Sequence, residues 1–280
     1  MGTLYLVATP IGNLEDISAR ALRVLQEAVL IAAEDTRQTR KLLTHYHIHT
    51  PLTSYHEHNK LIKLDEVLEG LARGDVALVS DAGTPALNDP GYELVRAALQ
   101  ADYAVSPIPG PSAPISALVA SGLPTDAFLY LGYLPRKAGE RRGLLEQVAE
   151  LPYTLIFLEA PHRLLDALQD LLRVLGDRPV AVARELTKLH EEIFRGSLSE
   201  ALTYFQEQGP RGELTLVVAG KPEEQEQWAE TRMRAAIAEA QARGESAAQI
   251  AGKLAAQSGW PRRTVYRMVT DQGRHQDESG

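Results

Sequence analysis

Val76-Ala77-Leu78-Val79-Ser80-Asp81-Ala82-Gly83-Thr84-Pro85 decides the architecture. Its aliphatic run reads as a strand buried on both faces, and it stops on a polar loop carrying Gly and Pro. Just before it, Leu61, Leu64, Val67, Leu68 and Leu71 form an apolar stripe at helical spacing within Lys60–Arg73. The alternation repeats outward. Strands are predicted at Thr3–Ala8, Ala28–Ala33, Val76–Ser80, Ala104–Ile108, Phe128–Leu131, Thr154–Leu158, Val180–Ala183 and Leu214–Ala219. Helices are predicted at Ser18–Glu27, Lys60–Arg73, Tyr92–Ala101, Leu144–Ala149 and His162–Val174. Such alternation predicts an α/β protein with largely parallel pairing.

The 280 residues are enough for roughly two domains with real cores. Hydrophobic residues make up 44% and charged residues 24%, which excludes disordered, collagenous and low-complexity readings. With 29 basic and 37 acidic residues the net charge is −8, so basic surface must be local. No cysteine is present, which excludes a disulfide framework, a cysteine-zinc site and a cysteine nucleophile. The first apolar run ends at Pro10 and has no basic flank, so a soluble, cytoplasmic protein without a membrane segment is expected.

Proline and glycine mark the joints. Gly110-Pro111-Ser112-Ala113-Pro114 places a boundary near Ser112, giving an N-terminal α/β domain over 1–112 and a second over 113–221. The polar stretch Lys221–Gln227 opens a small all-α tail over 222–280, whose last residues, Gln272–Gly280, read as frayed.

The unusual loops follow predicted strands: Thr9–Asn13, Glu34–Arg37, Asp81–Pro85, Pro109–Ala113, Glu159–Arg163 and Arg184–Lys188. Open α/β sheets bind ligands at this edge. No G-x-G-x-x-G, P-loop, G-x-S-x-G or H-E-x-x-H motif occurs, so the site is none of these familiar ones. Asp81 beside Gly83 suits an amino-acid or ribose moiety, or caps its own turn. Glu34-Asp35-Thr36-Arg37 suits a substrate hydroxyl or phosphate, or supplies a helix N-cap. His45, His47, His49, His56 and His58 cluster, but none pairs convincingly on a helix, so a solvated surface is expected and no metal.

Two basic patches stand out. Arg136, Lys137, Arg141 and Arg142 fall in a Gly-containing loop. Lys253, Arg262, Arg263 and Arg267 interleave with Trp260 and Tyr266, and 246–266 reads as helix, turn, helix. The latter resembles a helix-turn-helix, and such patches suit phosphate contacts to a nucleic acid.

The loops as a group resemble the tetrapyrrole methylase superfamily, and more closely its ribosomal RNA branch. The resemblance rests on Val7–Ile17, Ala33–Arg37, Ser80–Pro85, Pro109–Ala113, Glu159–Arg163, Arg184–Glu192 and Arg211–Glu213. It spans about Thr3 to Gly220, departs at Ala160 where Ser is usual, and extends to a helix-turn-helix tail. It implies a two-domain class III methyltransferase, usually a homodimer, with S-adenosylmethionine folded between the domains. It also implies a decoding-centre cytidine of 16S rRNA as the 2′-O-methylated substrate; because recognising one such nucleotide needs the surrounding shape, the assembled small subunit is the expected substrate. By motif, the cofactor would touch Pro10, Asp81, Ala82, Gly83, Thr84, Pro109, Gly110, Ser112 and Ala113, and on the second domain Leu131, Gly132, Glu213 and Thr215.

A ribose hydroxyl is a weak nucleophile, so a base or a cation beside the developing alkoxide is expected. Glu34, Asp35 and Arg37 on one side, and Glu185 and Lys188 on the other, are the candidates. Lys188 and Arg37 would position the ribose-phosphate while a carboxylate takes the proton. The rivals are a small-molecule tetrapyrrole methylase and an inactive rRNA-binding assembly factor. The basic patches argue against the first and the intact cofactor loops against the second.

Overall fold

A computed structural model describes residues 2–222 and 228–277, and contacts divide the chain into two compact units meeting at Lys221/Pro222. The first unit holds two five-stranded sheets.

The first sheet is built from β1 (Thr3–Val7), β2 (Leu30–Ala33), β3 (Leu52–Ser54), β4 (Val76–Val79) and β5 (Ala104–Ile108), in the order β3-β2-β4-β1-β5. Every pairing in it is parallel. Alternation of side chains along each strand serves two cores. Ile31, Ala33, Ala77 and Val79 face α1 (Ala19–Glu27) and α2 (Thr36–His45), whose Val24, Leu25, Leu42 and Leu43 cover them. Leu30, Ala32, Val76 and Leu78 face α3 (Lys60–Arg73) and α4 (Tyr92–Gln100) through Val67, Leu71, Leu94 and Ala98. Strands covered on both faces must be continuously apolar, which is why β4 is legible in the sequence.

Ser112 precedes α5 (Ala113–Ser121), the helix that leads to the second sheet. That sheet runs β6-β7-β10-β8-β9, built from β6 (Phe128–Tyr133), β7 (Thr154–Glu159), β8 (Pro179–Arg184), β9 (Glu192–Ser197) and β10 (Leu214–Val218). α6 (Ala138–Val148), α7 (Leu164–Leu175) and α8 (Leu198–Gln208) cover one face, and α5 covers the other. Here the expected parallel pairing is corrected. Only β6 and β7 run parallel, while β10 lies antiparallel between β7 and β8, and β8 and β9 form a hairpin. β3 and β9 escape sequence reading because one is three residues long and the other carries polar residues along an incompletely buried edge.

The second unit holds α9 (Glu230–Ala242), α10 (Ala247–Ser258) and α11 (Arg262–Asp277) around Met233, Ile237, Ile250, Leu254, Val265 and Val269. Ser246 and Gln249 close a capping box at the start of α10, and Gly259 ends it in the left-handed conformation. α11 continues to Asp277, beyond Gln272, where fraying is expected. Residues 278–280, and 223–227 of the polar stretch, lie outside the described residues.

Candidate active site

β1 and β4 are neighbours, yet the chain leaves β1 toward β2 and leaves β4 toward β5, on opposite sides. This is the switch point at which open sheets bind ligands. Thr9 and Gly83 meet there and exchange two backbone hydrogen bonds, both 2.9 Å. The neighbouring loops join the network: Asp35 N donates to Asp81 Oδ1 at 2.9 Å, and Asp81 N to Glu34 Oε2 at 3.4 Å. Thr84 Oγ1 donates to the Pro111 carbonyl at 3.3 Å. The polar residues after each strand thus satisfy one another's backbone and hold one rigid rim.

Against this rim lies a cavity of about 420 Å³ whose far wall comes from the second sheet. The first-sheet side supplies Glu34, Asp81, Ala82, Gly83, Thr84, Asp89, Ser112 and Ala113. The second-sheet side supplies Tyr130, Tyr133, Leu158, Ala183, Leu186, Leu214 and Thr215, with Glu213 at its edge. One end is therefore acidic and the other largely apolar. Glu159 also contributes to the wall, but its carboxyl is sealed behind it. Among the described residues no Lys, Arg or His lines the cavity.

Burial pushes Glu34 above its ordinary carboxylate value, and Asp89 adds to the rise. Burial likewise raises Asp81 and Asp89, opposed in Asp81 by the Asp35 N–H. Arg37, outside the cavity lining, offsets the rise only at Asp81 and only in part, and a cationic ligand would add the counter-charge these crowded carboxylates favour. Burial lifts Tyr130 to about 12, so its hydroxyl stays a donor.

Of the candidate catalytic residues, only Glu34 lines the cavity. Asp35 caps α2 and is chelated by Arg37 through Nε at 3.1 Å and Nη2 at 2.7 Å, which holds its carboxyl at about 2. Arg37 itself is 85% exposed. Lys188 Nζ donates to Glu185 Oε1 at 2.9 Å and Glu213 Oε2 at 3.1 Å. Burial works to lower Lys188, but the two glutamates outweigh it and keep it a charged ammonium. Glu185 is held below its ordinary value by the Glu213 N–H and by Lys188. Glu185 and Lys188 are thus an engaged ion pair at the Glu213 edge, with Lys188 a cation rather than a base.

The loop that carries them is strained. Glu185 and Thr187 have φ of 50° and 66°, and a β-branched residue rarely occupies that region. Gly12 packs so closely on this loop that a Cβ there would lie 2.4 Å from Lys188 Cγ. The first strand's loop and the Glu185–Lys188 loop therefore touch.

Asp81, Ala82, Gly83, Thr84, Ser112, Ala113, Glu213 and Thr215 all line the cavity, whereas Pro10, Pro109, Gly110, Leu131 and Gly132 do not. Leu131 packs on the helical core with Leu129 while Tyr130 takes the cavity side, and a register irregularity between Tyr130 and Tyr133 brings Tyr133 to the cavity as well. Gly132 stands behind the wall, where φ is 63° and a Cβ would fall 2.3 Å from Asn88 Nδ2. Pro109 and Gly110 are exposed, with Gly110 packed over Ala8, and Pro10 is displaced by its neighbour Ile11. Asp89, Asn88 and the two tyrosines carry no motif, and sequence reasoning missed them.

The first basic patch needs a correction. α6 starts at Ala138, so Arg141 and Arg142 are helical rather than in a loop. Arg141 is buried, with Nε donating to Asp170 Oδ2 at 2.7 Å, and is removed from the RNA-contact set. Arg142 reaches Asp170 Oδ1 at 3.3 Å, while Arg136 and Lys137 remain exposed. In the second unit Lys253 pairs with Glu245 at 3.4 Å. Arg262, Arg263 and Arg267 are exposed on α11, with Val265 and Val269 turned inward. Among the described residues no group of three His, Cys, Asp or Glu side chains is placed to hold a metal, and no helix is long and apolar enough to cross a membrane.

The family described as Tetrapyrrole (Corrin/Porphyrin) Methylases matches residues 3–202, and the chain belongs to it. Within that family it is similar along most of its length to proteins named Ribosomal RNA small subunit methyltransferase I. The protein from Halalkalibacterium halodurans is 50% identical, over 95% of this chain and 94% of its own. The one from a Synechocystis species is 49% identical, over 96% and 97%. The Bacillus subtilis protein is 44% identical, over 95% and 93%. Among solved structures, the methyltransferase CobJ has the same fold with a TM-score of 0.59 at 18% identity, covering 79% of this chain and 95% of that one. Uroporphyrin-III C-methyltransferase from Thermus thermophilus, complexed with S-adenyl homocysteine, gives 0.53 at 23%, covering 77% and 97%.

Proposed function

We propose that this protein transfers a methyl group from S-adenosylmethionine to a ribose 2′-hydroxyl of small-subunit ribosomal RNA. The reading takes the target to be a decoding-centre cytidine of 16S rRNA on the assembled subunit. The observation that carries it is the polarised cavity: carboxylates from Glu34, Asp81 and Asp89 at one end, Tyr130, Leu158, Ala183 and Leu214 at the other. A ligand with a cationic sulfonium and ammonium suits the first end, and a flat nucleobase suits the second. The similar proteins' name supports the RNA substrate.

When bound, S-adenosylmethionine supplies an electrophilic methyl group whose sulfur departs neutral, so no acid is required for it. Asp81 to Thr84, Ser112, Ala113 and Thr215 would hold it. Much of the rate then comes from alignment on the rigid rim. Glu34, raised by burial, takes the hydroxyl proton. Lys188, clamped between Glu185 and Glu213 at the edge of the cavity, would offer a fixed ammonium to the ribose-phosphate entering there. Arg37 and the exposed Arg136, Lys137, Arg262, Arg263 and Arg267 bind phosphate. A homodimer fits the exposed Ile115 and Val119, one turn apart on α5, which a second copy would cover.

Calorimetric titration with S-adenosylmethionine and S-adenosylhomocysteine tests the carrying observation. An acidic end that selects a cation binds the sulfonium more tightly than the neutral sulfide. Equal affinities would remove the electrostatic basis of the assignment.

A further inference from the structure

Three consecutive carbonyls between the cavity and the basic loop are each taken by a buried or nearly buried guanidinium. Arg163 Nη2 donates to Leu134 O and, at 3.1 Å, to Pro135 O. Arg141 Nη1 reaches Pro135 O and Arg136 O, both at 3.4 Å, while Asp170 neutralises it. Arg163 is itself ion-paired toward the cavity wall, and among the described residues its Nε makes no hydrogen bond. Its Nε lies 3.2 Å from Glu159 Oε1, which also accepts the Ala160 N–H at 2.8 Å.

The Glu159 side chain is fully buried, and that of Arg163 only 16% exposed. Burial pushes Glu159 up, and the Ala160 N–H and the charges of Arg163 and Arg141 reduce that rise without cancelling it. Such a pair costs desolvation and returns little stability over an apolar substitute, so its use lies in the geometry it imposes. That geometry joins two things. Glu159, Ala160 and Pro161 form cavity wall, and Tyr133, which also lines the cavity, leads directly into Leu134-Pro135-Arg136-Lys137. With the carbonyls so held, Arg136 and Lys137 stand exposed three and four residues beyond the cavity-lining Tyr133, Lys137 in an exposed pair with Glu140 at 3.0 Å.

We propose that Arg163, anchored by Glu159, is a positioning residue that sets the Leu134–Lys137 loop so that Arg136 and Lys137 receive the RNA backbone beside the cavity. The inference rests on the RNA-methylation reading. Neither Glu159 nor Arg163 meets the substrate; they act through the loop.

The test is a mutant cycle on methyl transfer to unmodified small subunits, comparing Arg163→Gln, the double variant Arg136→Ala/Lys137→Ala, and all three changes together. Arg163→Lys, which keeps the charge but loses the planar fork, stands in if the Gln variant does not fold. Arg163→Gln is expected to raise KM for the subunit about fivefold, with the loss falling on KM rather than kcat. The loop variant is expected to do the same, and the triple variant to lose no more than the loop variant, because Arg163 acts only through those two cations. Additive losses, an unchanged KM in the loop variant, or a parallel loss of S-adenosylmethionine affinity in Arg163→Gln would each overturn the proposal. A wild-type protein that labels no small-subunit RNA would instead overturn the RNA reading and carry the proposal with it.

Discussion

The backbone N–H of Asp35 donates to the side chain of Asp81 at 2.9 Å, tying the loop after β2 to the loop after β4 across the acidic end of the cavity. Asp81 therefore has two separable parts, an acceptor that holds the rim and a charge that faces the cavity.

Asp81→Asn keeps an acceptor and removes the charge. It should weaken S-adenosylmethionine binding about tenfold, the scale of a charge-assisted hydrogen bond, while changing S-adenosylhomocysteine binding less. Asp81→Ala also releases Asp35 and should weaken both. Isothermal titration separates the cases, and an Asn variant that binds both ligands as the wild type does would show that the charge is idle.

Glu34 predicts a pH dependence with a definite sign. Burial and Asp89 raise it, so the proton acceptor forms only as pH rises through a value above its ordinary one. Single-turnover transfer should climb across that range, and Glu34→Gln should lose about 10²- to 10⁴-fold in rate together with that limb. The stability effect runs the other way. Between its ordinary and its raised value the unfolded chain releases the Glu34 proton while the folded one retains it, so Glu34 costs stability as pH rises through that window. A rate limb that persists unchanged in Glu34→Gln would assign it to another group.

The first sheet was readable because strands such as Val76–Val79 are buried on both faces and so carry uninterrupted aliphatic runs. The second was readable in four of its five strands, β9 being missed, but not in its pairing. Nothing local in Leu214–Val218 says that it lies antiparallel between β7 and β8. The rim residues after β4 announced themselves as a Gly- and Pro-bearing loop. Asp89, Tyr130 and Tyr133 reach the cavity only through tertiary folding and leave no local pattern. Arg141 shows the converse failure. A cation in a basic run reads as surface until Asp170, on another helix, turns out to bury it.

That last pair gives a stability contrast. Arg141 is 5% exposed and Asp170 10%, whereas Arg142 is 36% exposed at 3.3 Å from the same carboxylate. Arg141→Ala leaves the buried Asp170 with only the longer, partly exposed Arg142 contact and should cost up to about 3–5 kcal/mol. Arg142→Ala should cost less than about 1 kcal/mol. Urea unfolding of both variants checks the order, and a mild Arg141→Ala would restore that residue to the surface.

The central claim is the identity of donor, acceptor and atom together. Small subunits lacking the modification are incubated with the protein and S-adenosylmethionine carrying a radiolabelled methyl group, and the label is mapped to nucleotide and to base or ribose. Label is expected on the 2′-oxygen of one decoding-centre cytidine in 16S rRNA. Label on a base, or none in RNA from a protein that binds S-adenosylmethionine, would contradict it.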